Sequence, residues 1–182
     1  MKYPEIPVAQ TLILSCIQYD FCNVVISPGS RNVPLAIGFA SNEKFNCYSI
    51  VDERSAAYMA CGMAAESNEP VVITCTGATA SRNYLPGLTE AFHRKLPVLA
   101  VTGTRDISKY GHLEDQVIDR TVKPKDAAKI TAHIPIVKDD DDRWECVVKI
   151  NEALGELTNN GGGPVHINLT TNYTRTYTTK EI

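Results

Sequence analysis

No apolar run in this chain approaches the ~20 residues that a bilayer-spanning helix needs. Runs such as Val71 to Ile73 and Val98 to Val101 are strand-sized, so no membrane partner is expected. The opening residues Met1-Lys2-Tyr3-Pro4 lack the cationic and apolar regions of a secretory signal, which points to a cytoplasmic address. Lysine and arginine are scattered and the net charge is −3, so there is no basic stripe and no nucleic-acid partner is expected. None of the six cysteines forms a Cys-x-x-Cys pair, and Cys16, Cys22, Cys47, Cys61, Cys75 and Cys146 read as reduced thiols, mostly in apolar runs. His93, His112, His133 and His166 show no ligand spacing, and no metal site is assigned to the chain. His166 reads as a hydrogen-bonded core histidine. Gly-x-Gly-x-x-Gly and Gly-x-x-x-x-Gly-Lys are both missing, so the usual nucleotide cofactors lack support.

What is present is ordinary globular composition, 43% hydrophobic and 21% charged over 182 residues, enough for one domain with its own core. Apolar residues at Val8, Leu12, Ile13 and Ile17 predict a helix over residues 6–19. Val24 to Ile26 predicts a strand, stopped by Pro28-Gly29, with a helix from Pro34 to about Ser41. The unit repeats as a buried strand Cys47 to Val51 and an Ala-rich helix Ala56 to Ser67. It repeats again as a strand Val71 to Cys75 and a helix from about Ala80 to Arg94. Val98 to Thr102 predicts a strand ended by Gly103, and Thr104 to Lys125 a long polar loop with one helical turn around Glu114 to Arg120. Lys129 to Ile136 predicts a strand, Trp144 to Leu157 a helix, and Pro164 to Leu169 a last strand, with 170–182 a tail or linker.

Continuous apolar strands alternating with helices define the expected fold class. It is α/β, a three-layer doubly wound sandwich on a mostly parallel sheet of about six strands, all within a single domain 1–182. Ligands of such sheets bind outside the carboxyl ends of the strands. The junctions there hold the candidate chemistry. Asp52 and Glu53 open a helix, where a carboxylate caps the first turn or, partly desolvated, serves general acid/base work. Ser30 and Arg31 follow a Pro-Gly turn, and an arginine there suits bidentate recognition of a carboxylate or phosphate, or pairs with a neighbouring acid. Gly77-Ala78-Thr79 opens another helix, a general site for an anion or polar ligand. Arg105 and Gln116 lie on the same rim or in the loop after it. The acidic run Asp139 to Asp142 reads as a solvated cluster at a helix start.

The ordered motifs Ser27-Pro28-Gly29-Ser30-Arg31, Val51-Asp52-Glu53-Arg54-Ser55-Ala56-Ala57, Cys75-Thr76-Gly77-Ala78-Thr79-Ala80 with Asn83-Tyr84-Leu85-Pro86, and Pro164-Val165-His166-Ile167-Asn168 carry a resemblance. From about Val8 to Leu169 the chain resembles the pyrimidine-binding (PYR) domain of thiamine-diphosphate enzymes, most closely the menaquinone-biosynthesis branch. It departs from that branch at Gly77-Ala78, where Ser-Gly is usual, and at Asp106, where Pro is usual. The resemblance implies that Glu53 hydrogen-bonds N1′ of the cofactor's aminopyrimidine and so promotes removal of the C2 proton. It implies that Gly77, Ala78, Thr79 and Asn83 line the cofactor pocket, and that Ser30, Arg31, Arg105 and Gln116 hold an anionic substrate. In that branch 2-oxoglutarate is decarboxylated and a succinyl unit is added to isochorismate.

The family binds the diphosphate and Mg²⁺ through a second domain with a Gly-Asp-Gly motif, which this sequence does not contain. A diphosphate-binding domain as partner, a homodimer and an inactive isolated chain are therefore expected. The alternatives are another thiamine-diphosphate decarboxylase or carboligase of 2-oxo acids, or a non-catalytic interaction module on the same fold.

Overall fold

Proline, glycine and capping carboxylates cut this sequence into its elements. The computed structural model describes residues 2–119, 124–171 and 179–181. A short strand β1, Lys2–Pro4, leads into helix α1, Pro7–Gln18, whose proline stands in the first turn, where a missing N–H costs nothing. Strand β2, Asn23–Ile26, is followed by α2, Val33–Ala40, and β3, Asn46–Ser49. Helix α3, Glu53–Ser67, is capped by Asp52, whose carboxylate accepts the Ser55 N–H at 2.7 Å. Strand β4, Val71–Thr76, runs to α4, Thr79–Asn83, and α5, Leu85–Arg94. Strand β5 is Val98–Thr104, β6 Ile130–Ile134, helix α6 Asp140–Gly155, β7 Val165–Thr170 and β8 Thr179–Glu181.

Six strands form one parallel sheet in the order β3-β2-β4-β5-β7-β6. The chain steps from β2 outward to β3 and then back across to β4, so the topological switch point lies between β2 and β4. Alternate residues of the central strands feed two cores. Val24, Val72, Leu99, Val101 and Ile167 pack with Leu12, Leu35 and Leu154 of α1, α2 and α6. Val25, Ile73, Val98 and Ala100 pack with Ala57, Ala60 and Leu88 of α3 and α5. The doubly wound α/β expectation holds, with all six strands of this sheet parallel.

Several details differ from the sequence reading. The helix expected over 80–94 is two, α4 and α5, meeting at Tyr84, because Pro86 has no N–H to offer the Arg82 carbonyl and its ring crowds that turn. Strand β3 is exposed at every residue rather than buried, since it is the edge of the sheet. Gly103 does not end β5, which continues buried to Thr104. The only helical turn described in the following loop is a 3₁₀ turn at Ile107–Lys109, capped by Asp106; within residues 114–119 only Asp115 and Gln116 form a turn, and Arg120 lies outside the described residues. Helix α6 starts at Asp140, before Trp144, with Asp139 accepting from the Asp142 N–H at 2.9 Å. Within the expected tail, Thr170 belongs to β7 and β8 pairs antiparallel with β1, while residues 172–178 lie outside the described residues. No helix of the described residues is long and apolar enough to cross a membrane.

Helices α3 and α5 touch through Gly87, where an added Cβ would stand 2.5 Å from Ala57 Cβ and 3.0 Å from its carbonyl carbon. Overpacking at such a contact costs ~1–3 kcal/mol, which outweighs the ~1 kcal/mol that alanine gains in helix propensity. Gly87→Ala is expected to lower the urea midpoint with no change in slope, whereas Gly62→Ala, in open space on α3, raises it or leaves it unchanged.

Candidate active site at the switch point

The turn after β2 is built around Asn32, which is fully buried. Its Oδ1 accepts the Gly29 N–H at 2.8 Å, and its Nδ2 donates to the Ser27 carbonyl at 3.1 Å and to Thr74 Oγ1 at 3.5 Å. One side chain thereby ties the end of β2 to β4 across the switch point. Neighbouring Arg31 is only 3% exposed. Its carbonyl packs on Gly103, where a Cβ would stand 2.4 Å from the oxygen, and accepts the Thr171 hydroxyl at 2.8 Å. The backbone of this turn therefore rests directly on β5, which is why β5 carries no side chain at that point.

The guanidinium of Arg31 reaches 85 residues along the chain, donating from Nη1 to the Gln116 carbonyl and from Nη2 to the Asp115 carbonyl, the latter at 3.0 Å. Arg105 leaves the end of β5 and pairs with Glu114 at 3.0 Å, which Lys109 also reaches at 2.9 Å. Hydrogen bonding to Lys109, aided by the charges of Lys109 and Arg105, holds the Glu114 carboxyl below its ordinary range. Two of the candidate arginines thus converge on residues 114–116, the segment that contains Gln116. The Gln116 backbone is left-handed, at φ 54°, and its side chain is exposed.

Glu53 is the first residue of α3 and is half-buried; its Oε2 accepts from Asn83 Nδ2 at 3.1 Å. Asp52 caps the helix, so Glu53 is left for the crevice; the junction separates the two acidic roles. Beneath lies Tyr84, 1% exposed, with its hydroxyl beside Ser27 and Cys75. Burial pushes that phenol far above its ordinary range, so it remains a neutral hydroxyl. Gly77 and Ala78 are buried and Thr79 is exposed at the start of α4; the Gly77 N–H is taken by the Gly103 carbonyl at 2.6 Å. Ser30 is exposed on the rim.

The structure brings Glu53 and Asn83 together, and Arg31 and Arg105 onto one loop. Sequence reasoning missed Asn32 and Glu114. An asparagine directly before Val33-Pro34 is a helix-start signal that points to the first, although its side chain turns back to the loop instead of capping α2. Nothing local marks the second.

A parallel sheet wound on both faces, with an anchored carboxylate and two arginines at its switch point, defines an open α/β ligand-binding domain. The family described as "Thiamine pyrophosphate enzyme, N-terminal TPP binding domain" matches residues 6–123, and the chain belongs to that family. Among curated relatives it is similar to 2-succinyl-5-enolpyruvyl-6-hydroxy-3-cyclohexene-1-carboxylate synthases. The Flavobacterium johnsoniae protein is 39% identical over 168 residues, covering 92% of this chain and 29% of the relative. That of Bacteroides fragilis is 36% identical over 146 residues, 80% of this chain and 26% of the relative. That of Christiangramia forsetii is 43% identical over 118 residues, 65% of this chain and 20% of the relative. The chain thus spans about three tenths or less of their length. A Rhodococcus jostii RHA1 thiamine diphosphate-dependent 4-hydroxybenzoylformate decarboxylase shares the fold at a TM-score of 0.74, with 20% identity, over 90% of this chain and 30% of the other.

Arg31→Lys removes the fork that reaches two carbonyls at once. Amide exchange at Val117, whose N–H bonds the Glu114 carbonyl at 3.2 Å, is expected to quicken about tenfold or more, while β4 and β5 amides are unchanged. Because the Glu114 carboxyl titrates below its unfolded value, its contribution is complete above that value and is lost as pH falls through the folded one. Carbon-13 titration of its side chain is expected to show the lowered midpoint in the wild type and a higher one, closer to the ordinary range, in Lys109→Met, where the Arg105 pair remains.

Proposed function

We propose that this chain supplies the aminopyrimidine-binding half of a thiamine-diphosphate active site. The enzyme it serves decarboxylates 2-oxoglutarate and adds the resulting succinyl unit to isochorismate. The observation that carries this reading is the Glu53 carboxylate at the head of α3, anchored through Oε2 by Asn83 at the switch point. Its Oε1 makes no hydrogen bond among the described residues, which fits a ring nitrogen that must share a proton with a carboxyl group. When bound, the cofactor supplies the electron sink for decarboxylation. The chain's own part is to hold and pass a proton at Glu53 and to keep that oxygen aimed through Asn83. Gly77, Ala78 and Thr79 would wall the pyrimidine pocket.

Arg31 and Arg105, with Ser30 and Gln116 beside them, would receive the substrate carboxylates. Both guanidiniums are already fixed in place by the loop that contains Gln116, so little ordering remains to be done when an anion arrives. The product in the similar synthases' name is a carboxylate that bears a succinyl group, and two positioned arginines suit acidic molecules of that kind.

A diphosphate-binding domain carrying Mg²⁺, on the same polypeptide or another, completes the reading, with assembly as a cytoplasmic homodimer. The short span of the relatives that this chain covers supports the further domain. So does the exposed apolar surface of the unit that carries Glu53, where Tyr48 of β3, Val51 of the junction and Tyr58 of α3 are 37%, 80% and 48% exposed and suited to being covered.

The test is to combine the chain with its diphosphate-binding domain, Mg²⁺, thiamine diphosphate, 2-oxoglutarate and isochorismate and to follow the carboligation product. Absence of product from the assembled protein rejects the substrate assignment. Glu53→Gln, which keeps the size of the side chain, is expected to slow exchange of the cofactor C2 proton by about a hundredfold or more while the circular dichroism spectrum is unchanged. Unaltered exchange would reject the catalytic role of Glu53.

A further inference from the structure

We propose that a cavity on the α5 side of the sheet is a second small-molecule site, taking a short neutral carbonyl compound with a branched apolar body. It is separate from the Glu53 crevice. Alternation along β7 sends Val165, Ile167 and Leu169 into the α1–α6 core, so His166 and Asn168 project to the opposite face. The register sets Thr131 of β6 beside His166 and Thr102 of β5 beside Asn168, so a polar row crosses a sheet face that is otherwise apolar.

The row is ordered. Thr102 donates its one hydroxyl proton to Asn168 Oδ1 at 2.8 Å, so its oxygen accepts from His166 Nε2 at 3.1 Å. This fixes the Asn168 amide with its oxygen satisfied. Asn168 is fully buried, yet its Nδ2 has no partner among the described residues. A buried donor left in that state is costly unless something else accepts from it.

The space above this floor is a cavity of about 100 Å³ bordered by Thr131, His166 and Asn168 below and by Leu85, Leu88 and Ala127 at the sides. Dry cavities of ~150 Å³ hold benzene, so this one has room for about five or six heavy atoms. Apolar walls and one unfilled donor on the floor call for an acceptor oxygen at the head and a hydrocarbon body. The head is neutral, since the described lining carries one acidic residue, Asp119, for its one arginine, Arg82, and a buried unpaired carboxylate is strongly disfavoured. Helix α4 serves both places with different residues: Ser81 and Arg82 border the cavity, whereas Asn83 holds Glu53.

The probe is isobutyramide, titrated into isotope-labelled protein and followed by nuclear magnetic resonance. The expected result is saturable shifts of the Asn168 side-chain amide and of the Ala127 and Thr131 backbone amides, with isobutyrate at least about tenfold weaker. Ala127→Leu, which fills the cavity without touching the polar row, is expected to abolish the shifts while keeping the folded spectrum. Asn168→Leu is expected to weaken them about tenfold. Glu53→Gln is expected to leave them unchanged, which separates this site from the cofactor proposal. No saturable shift at tens of millimolar probe, or full binding by Ala127→Leu, would overturn the site; equal binding of isobutyrate would overturn the neutral head.

Discussion

The side chain of Asn32 is the joint on which the crevice is built. It is fully buried and spans the switch point, accepting from Gly29 and donating to Ser27 and Thr74. With those bonds made, the turn after β2 has one conformation, and that conformation lays the Arg31 carbonyl on Gly103 and under the Thr171 hydroxyl. From there the Arg31 guanidinium meets residues 115 and 116. A buried polar network of this kind has no graded response: satisfied it specifies one geometry, and with a partner missing it leaves several orphaned groups. Position 103 is glycine for the same reason, since any side chain there would lift the turn off the sheet.

The sheet and its flanking helices were legible because their signals are local. Val24 to Ile26, Val71 to Ile73 and Val98 to Val101 are continuous apolar runs, as strands covered on both faces must be. The junctions at Ser27 to Arg31 and Asp52 to Ser55 were legible because strand ends determine where ligands go in such folds. Edge position was not legible. Cys47 to Val51 contains Tyr48, Ile50 and Val51 and reads as buried, yet β3 has a neighbour on one side only, and sequence gives no account of strand order. The break at Tyr84 was present in Pro86 but was outweighed by the helical pattern on either side of it.

Long-range polar pairing was the least legible layer. Arg31 and Gln116 were each singled out as substrate-facing groups, but that the first would bind the backbone of the second depends on a loop path that no spacing encodes. The same holds for Glu114, whose charge is shared by Arg105 and Lys109. The antiparallel pairing of Lys2–Pro4 with Thr179–Glu181 joins the two ends of the described chain through only three residues each, too short for any periodic signal. Coulombic and hydrogen-bond partners are set by the three-dimensional path of the chain, and composition constrains them weakly.

The crevice is dry below and wet above, and this asymmetry bears on how it works. Tyr84, Cys75 and Ser27 form a buried floor, while Glu53 is half-buried, and Val51 of the same junction and Tyr58 of the same helix are exposed. In water a carboxylate exchanges any single hydrogen bond for another at little gain, so an exposed Glu53 would hold a heterocyclic nitrogen loosely. On the proposed reading, covering the exposed apolar residues of this unit with a second surface would remove that competing water and strengthen the same bond by lowering the local dielectric. The groups whose geometry must not vary, Asn32, Arg31 and Gly103, are all settled within this chain. The one quantity left open is solvent access, and a partner surface can change it without moving any of them.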